Sequence, residues 1–416
     1  MSQSPDSELL RKIPMLAGLP PWQIDVVADA VEPIVVDKGK LLLERGTDDG
    51  YTYFLIEGKV ALEPADGNTM TIDLSGDHAR TPVANLRPRI LTVKALSFVR
   101  GIRVPDLVLS AAGCNGNSGP NDNFRVESEE EGERRELESK LSFHLYRDLK
   151  SDKAVLPSLP DLAMKIRRAI DDERSKAREI AHLVEADPAM TAKLLKVSNS
   201  AFYAGLNTVE TTSAAIVRLG MQVTKKLVVS FALKEVFQSE NPLIQKRMRV
   251  LWKHSAQIAA LCYVLAGEVR GVEPEEALLV GLVHDVGTIA ILNYVERYPE
   301  LVSDETALEQ TIDDMRGELG AMILRAWKFA PVVIAAARDA EYWTRVHQGP
   351  ADFTDLLIVA QVHERLRKND TNGLPPMDKV SAFNRVLGAD ATAEKSLEVL
   401  HAAKKKADVM RSVLRG

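Results

Sequence analysis

The second half of the chain carries hydrophobic residues at helical spacing. Leu162, Ile166 and Ile170 recur every four residues, which places them on one face of an α-helix. Pro160 stands just before them, where a first-turn proline costs no hydrogen bond. The pattern predicts a helix that begins near residue 160 and buries this apolar face.

Two further helices are predicted from their end signals. Asp187 followed by Pro188 combines a favoured N-cap residue with a first-turn proline. The next helix follows Thr211 and ends at Gly220, a typical C-cap residue. Helices of this length and spacing indicate an all-α region.

The first third has a different pattern. From Ile34 to Ser110, short runs rich in Val, Ile, Thr and Tyr are separated by turn residues, which is typical of an all-β barrel or jelly roll. A short helix is predicted before them, from Pro21 to Val31. Four glycines fall between the candidate strands, where turns need positive φ: Gly39, Gly46, Gly50 and Gly58.

A polar segment separates the two regions. Residues 111–123 are rich in Gly, Asn and Ser, a composition that buries too little surface to fold and predicts a flexible linker. Residues 126–150 are highly charged, and pairs such as Glu130 with Arg134 support a connecting helix. Two interpretations stay open for it, a plain spacer and a helix that pairs with its copy in a homodimer.

Charge and cysteine content narrow the functional classes. A net charge of −6 argues against non-specific DNA binding, which needs a basic surface. The two cysteines, Cys114 and Cys262, provide no disulfide framework, which suits a reducing compartment. The N-terminus does not have the pattern of a secretory signal, and no apolar stretch reaches the roughly 18 residues of a membrane helix. We therefore expect a cytoplasmic protein without membrane association.

Several of these motifs resemble the HDOD domain, a bacterial signalling relative of the HD phosphohydrolases. They are the Leu-Pro pairs around residue 160, the Asp187-Pro188 helix, Ser198-Asn199-Ser200 and the stretches Leu251–Ser255, Gly281–Leu292 and Glu318–Trp327. The resemblance implies an all-α domain that acts in signalling beside receiver, sensor and cyclic di-GMP modules.

Residues 37–62 resemble the first half of a cyclic-nucleotide-binding domain. That resemblance implies a jelly roll and a phosphate-binding segment in which Pro88-Arg89 fits the family's Pro-Arg step. The family's Gly-Glu pair, which holds the ribose, is replaced near Arg80, so that contact is lost. We therefore predict a degenerate sensor or dimerisation module, with Arg80, Arg87 and Arg89 as candidate ligands for a nucleotide or another anion.

The HD resemblance also implies a metal site. His254, His284 and Asp285 match the family's first His and its His-Asp pair, and such side chains suit a divalent metal that activates water. Arg316 stands where a further His is usual, and Gln361 lies close to the position of the distal Asp. Since a neutral amide cannot replace an anionic ligand, the three remaining residues are predicted to be vestigial, with no catalytic residue and no cofactor.

The sequence thus predicts a multidomain α+β protein. Its parts are a cyclic-nucleotide-binding-like jelly roll over residues 1–110, a linker and charged helix over 111–150, and an all-α HDOD domain over 151–416. The predicted function is non-enzymatic signal transduction through other signalling proteins. The alternative is a metal-dependent phosphodiesterase or phosphohydrolase acting on a nucleotide or cyclic dinucleotide.

Overall fold

The structure, a computed structural model, falls into two compact units along the chain. The first comprises Met1–Leu156 with Arg297–Ala335, and the second comprises Pro157–Glu296 with Ala336–Gly416. The residues it describes are 7–64, 69–74, 81–84, 89–112, 114, 145, 148, 156–171, 176–200, 202–203, 205, 207–296, 305–347, 349–368, 370–371, 373–388 and 404–415. The predicted linker and charged helix lie almost wholly outside these residues.

Two antiparallel sheets form the centre of the first unit. One has the strand order β1-β7-β3 and the other β2-β6-β4-β5. The strands are β1 (Glu32–Val36), β2 (Leu41–Leu43), β3 (Tyr51–Glu57), β4 (Lys59–Glu63), β5 (Met70–Asp73), β6 (Thr92–Ala95) and β7 (Val99–Pro105).

Both sheets contribute to one hydrophobic core. Leu55 of β3 and Val99 of β7 meet Val60 of β4 and Val93 of β6, and all four side chains are completely buried. The four glycines predicted at turns all have positive φ. At Gly58, between β3 and β4, a Cβ would also stand 2.5 Å from the Phe98 carbonyl oxygen. The antiparallel sandwich of short strands confirms the predicted N-terminal fold class.

Helices complete the first unit. They are α1 (Ser7–Leu10), α2 (Pro21–Ala30), which confirms the helix predicted there, α3 (Asp106–Ala111) and α12 (Glu305–Ala326). The long helix α12 packs on α3, although some two hundred residues separate them in sequence. Arg325 Nη2 of α12 lies 2.6 Å from Asp48 Oδ1, and the Asp48 side chain is completely buried. This ion pair ties α12 to the loop before β3.

The second unit is helical, as predicted. Its helices are α4 (Asp161–Asp171), α5 (Ala177–Glu185), α6 (Pro188–Ser198), α7 (Thr212–Leu219), α8 (Met221–Ala232), α9 (Pro242–Ala266), α10 (Pro274–Val283), α11 (Val286–Val295), α14 (Phe353–Arg367), α15 (Ser381–Leu387) and α16 (Lys404–Arg415). Short 3-10 turns occur at Leu233–Val236 and Met377–Lys379, and α13 (Pro331–Arg338) spans the boundary between the two units.

The helix ends follow the predicted signals. Asp187 accepts hydrogen bonds from the Ala189 and Met190 amides at the start of α6, and Thr211 accepts from the Ala214 amide at the start of α7. Gly220 ends α7 with a φ of 80°. These contacts are local, so short sequence motifs are sufficient to specify them.

One expectation about apolar segments needs correction. Pro274–Val295 is long and apolar enough to cross a membrane by length and composition, although no such stretch was expected. His284 and Asp285 interrupt it between α10 and α11, and 94% of its most apolar window is buried inside the fold. Its length comes from two consecutive core helices.

Candidate functional site

The break between α10 and α11 places a histidine and an aspartate inside the second unit. His284 follows α10 and is 1% exposed, and Asp285 is the N-cap position of α11. His284 Nδ1 lies 2.8 Å from the carbonyl oxygen of Gly281. Because a carbonyl only accepts, Nδ1 donates in this contact, and in the neutral form of the ring the lone pair is on Nε2.

His254 approaches the same point from α9. Its Nε2 lies 3.3 Å from His284 Nε2, and the two rings are 5.2 Å apart at an angle of 58°. Asp285 Oδ2 lies 3.6 Å from His254 Nε2 and 3.5 Å from His284 Nε2. The structure therefore brings together all three metal candidates predicted from the sequence.

Glu364 of α14 fixes the other side of the His254 ring. Its Oε2 lies 2.5 Å from His254 Nδ1, and its side chain is 5% exposed. Burial alone would raise the pKa of Glu364. The hydrogen bond and charge of His254, together with Lys368 at 3.1 Å, instead bring that pKa below its ordinary value. Glu364 is therefore an anion that orients His254, an arrangement common behind metal-binding histidines.

The three converging atoms fit a single metal ion. Their separations of 3.3, 3.5 and 3.6 Å form a nearly equilateral triangle. A point equidistant from them lies about 2.0 Å from each, the length of a zinc–imidazole bond. A proton suits the same position, because protonated His254 would donate to both Glu364 and His284. The site can therefore hold a cation of either kind.

The two predicted departures from the HD pattern have other partners. Gln361 Nε2 donates to the Ala340 carbonyl at 2.6 Å, so the amide links α14 to the chain after α13. Arg316 forms an ion pair with Asp313 on its own helix at 3.4 Å. In the described part of the second unit, the donor atoms that converge at His284 are those of His254, His284 and Asp285.

Glu364 was missed by the sequence analysis. It lies three residues after Gln361, close to one helical turn, so helical spacing from the expected distal ligand would have indicated it. A second cluster, His347 with Asp352 and Asp355, was also missed. There Arg345 lies 2.7 Å from Asp352, and Asp352 caps α14 through the Thr354 and Asp355 amides. Because Arg345 and the helix start already neutralise these carboxylates, that cluster stabilises the start of α14.

The candidate anion site of the first unit is engaged by the protein itself. Arg89 is 1% exposed, and its guanidinium bonds Asp49 Oδ1 at 2.5 Å and the carbonyl oxygens of Tyr51 at 3.0 Å and Ala84 at 2.9 Å. It also lies 5.0 Å from the centre of the Tyr53 ring. Arg80 and Arg87 lie outside the described residues. Anion binding by these arginines stays a prediction, and at Arg89 an anion would have to displace Asp49.

His363 provides a test of how tightly α14 is packed. It is 2% exposed, lies 5.5 Å from the Phe383 ring, and has a pKa lowered by burial to about 4. In the unfolded chain His363 binds a proton near pH 6.5, whereas in the folded chain it binds one only near pH 4. The contribution of neutral His363 to the free energy of unfolding is therefore fully present above pH 6.5. It is lost as the pH falls from 6.5 to 4, by up to about 3 kcal/mol.

Urea unfolding at a series of pH values measures this loss. His363→Leu is expected to flatten the profile across that interval, whereas His182→Ala, at a largely exposed position, should leave it unchanged. Identical profiles for the wild-type chain and His363→Leu would contradict the assignment.

Comparison with known proteins identifies the family of the helical region. Residues 156–342 match the model of the HDOD domain, so this part of the chain is an HDOD domain. An uncharacterised protein of Treponema pallidum is 24% identical over 197 residues, which are 44% of this chain and 37% of that protein. The chain thus spans little more than a third of that relative's length.

Two solved structures are similar to parts of this chain. A candidate metal-dependent phosphohydrolase from Shewanella amazonensis is 23% identical, with a TM-score of 0.57 over 67% of this chain and 99% of that one. The sensor domain of the transcriptional regulator DNR from Pseudomonas aeruginosa is 17% identical, with a TM-score of 0.23 over 26% of this chain and 79% of that one. The first likeness supports the HDOD fold, and the second is too low to indicate a ligand.

Proposed function

We propose that the protein is a non-enzymatic signal-transduction component in which a sensor-like jelly roll regulates an HDOD domain that docks other signalling proteins. The observation that supports this proposal best is the burial of two of the three metal candidates, since only His254, with its side chain 26% exposed, reaches the surface. The His284 side chain is completely buried and that of Asp285 is one-tenth exposed. A phosphodiester is bulky and anionic, so it has little access to an ion held at these atoms.

The donor set supports the same conclusion. Hydrolysis by two metal ions needs enough ligands for ions about 4 Å apart. The converging atoms in the described part of the second unit are sufficient for one ion. Gln361 offers no charge, and its amide is bound to a backbone carbonyl. A single buried ion, or a proton, would cross-link α9 to the α10–α11 break and thereby stabilise the domain.

The test combines metal binding with hydrolysis. Full-length protein loaded with Mn²⁺, Ni²⁺ or Fe²⁺ is expected to leave bis-p-nitrophenyl phosphate uncleaved above the metal-only blank. Calorimetry is expected to show no more than one bound ion, and binding should disappear in His284→Ala but persist in His182→Ala. Hydrolysis that is lost in His284→Ala would overturn the proposal.

The alternative is a metal-dependent phosphodiesterase or phosphohydrolase acting on a nucleotide or cyclic dinucleotide. The nearly equilateral triangle of donor atoms favours it, because three protein ligands are the usual number in catalytic zinc sites. His254, His284 and Asp285 would hold the ion, which when bound would polarise a phosphoryl oxygen and activate water. Glu364 and the Gly281 carbonyl would keep both imidazoles turned toward it.

The cellular setting is part of the proposal. We place the protein in the bacterial cytoplasm, in a cyclic di-GMP or related signalling system. Both cysteines are free thiols, and burial raises the pKa of Cys114 to about 11 and that of Cys262 further above its ordinary value. Two cysteines that form no disulfide suit a reducing compartment. Homodimer formation and nucleotide binding by the jelly roll belong to the same proposal.

A further inference from the structure

A groove in the second unit lies where the 3-10 turn after α8 meets the first half of α9. Its cavity of about 710 Å³ has an aromatic floor formed by Phe237 and Trp252. The two rings meet edge to face, with centroids 5.1 Å apart at 63°, and each residue is at most 6% exposed. A floor of this kind is rigid, because both rings are packed into the fold.

The rim of the groove is basic. Lys234, Arg249 and Lys253 line it against a single acidic side chain, Glu240. Arg249 and Lys253 are exposed, four residues apart on α9, and so lie side by side on one helix face. This local excess of positive charge contrasts with the net charge of −6 of the whole chain. The groove therefore attracts an anionic partner.

Apolar side chains continue the surface beyond the rim. Leu243 is 65% exposed and Val250 is 62% exposed. They are seven residues apart on α9, two helical turns, so they form one stripe. At 100° per residue, Lys246 falls between this stripe and the groove. The first half of α9 thus presents a basic surface with apolar side chains on both sides.

The buried indole N–H of Trp252 lacks a hydrogen-bond acceptor among the described residues. Buried N–H groups nearly always have an acceptor. An acceptor carried by a bound partner, such as a backbone carbonyl or a carboxylate, would satisfy it after a small movement of the ring.

From these observations we propose that the α9 groove binds an acidic amphipathic peptide segment of a partner protein, with apolar anchors on the aromatic floor and acidic flanks on the basic rim. The proposal deepens the docking role described above and rests on it. A helix or extended peptide matches the roughly two-turn length of the surface, and pairing of apolar anchors with charge is the usual way in which grooves recognise such segments. Single-stranded nucleic acid fits less well, because the exposed apolar side chains are aliphatic and bases stack on exposed aromatic rings.

The experiment uses full-length protein and a labelled helical peptide with leucines every three or four residues and glutamates beside them. Fluorescence anisotropy is expected to show binding that weakens with salt. The double variant Arg249→Glu with Lys253→Glu is expected to weaken it by roughly tenfold or more, because the rim then repels the peptide. Arg270→Glu, at another exposed basic position of the same unit, is the matched control and should bind like the wild type.

Three outcomes would overturn the groove proposal. They are no binding, equal binding by a peptide with lysines in place of the glutamates, and tighter binding of labelled oligothymidylate than of the acidic peptide. Leu243→Ser provides a second variant that leaves every charge in place, and it too should weaken peptide binding. Circular dichroism confirms that each variant folds. Metal-dependent hydrolysis would overturn the non-enzymatic function without affecting the groove result, so the two failures are distinguishable.

Discussion

Replacing Arg89 by alanine is expected to lower the free energy of unfolding of the jelly roll by about 2–5 kcal/mol, the usual cost of truncating a large, completely buried side chain. The side chain is completely buried, and it connects three places in the chain: Asp49, the Tyr51 carbonyl and the Ala84 carbonyl. Its loss leaves a cavity and three acceptors that have lost their donor. Urea unfolding followed by circular dichroism measures the change.

Arg103→Ala is the matched control. Arg103 also pairs with an acid across the sheet, Glu32 at 2.6 Å, but both side chains are about one-third exposed. Since solvent screens such a pair, this variant should cost about 1 kcal/mol or less. Equal, small losses for the two variants would mean that Arg89 is accessible in solution. Its guanidinium would then be available to an anion, as first expected from the sequence.

Gly281→Ala is expected to disrupt both packing and the metal candidates. A Cβ at residue 281 would stand 2.8 Å from the Ala259 backbone nitrogen and closer still to its Cα. Helices α9 and α10 would have to separate, and overpacking of this kind costs about 1–3 kcal/mol. The movement would also shift the Gly281 carbonyl, which orients His284. Thermal unfolding should show a lower midpoint, and calorimetry should show weaker metal binding.

Gly18→Ala controls for the general effect of adding a methyl group. A Cβ at residue 18 would meet nothing within 4 Å, and its φ is not in the positive range that disfavours alanine. This variant should unfold at the wild-type temperature and bind metal as the wild type does. If Gly281→Ala behaves in the same way, the close approach of α9 and α10 is not a feature of the folded protein in solution.

A contact can be predicted from the sequence when the two residues that make it are close together along the chain. The caps at Asp187 and Thr211 are set within four residues, so motifs predict them. The convergence of His254 with the His284-Asp285 pair was available from the family resemblance. The pairing of His254 with Glu364 joins residues more than one hundred positions apart, and the signal that points to it is the one-turn spacing of Glu364 from Gln361.

The same limit applies to Arg89. An exposed arginine that binds a ligand and a buried structural arginine look alike in a sequence. The difference here is the carboxylate of Asp49, forty residues away, which pairs with Arg89. The α9 groove was also invisible, since its rim combines residues of α9 with those of the turn after α8. The Arg89–Asp49 pair and the α9 groove both depend on how separate elements pack together. The hydrophobic periodicity within one element carries no information about that packing.

The ion pair between Asp48 and Arg325 has a practical consequence for dissecting the protein. Helix α12 lies inside the stretch that matches the HDOD family, yet it belongs to the same compact unit as the jelly roll. A fragment that begins at residue 151 would keep Arg325 while losing the buried carboxylate that neutralises it. Expressing the two apparent domains separately would therefore expose the surface of α12 that the first unit covers in the intact chain. Activities measured on such fragments would be those of incompletely folded proteins.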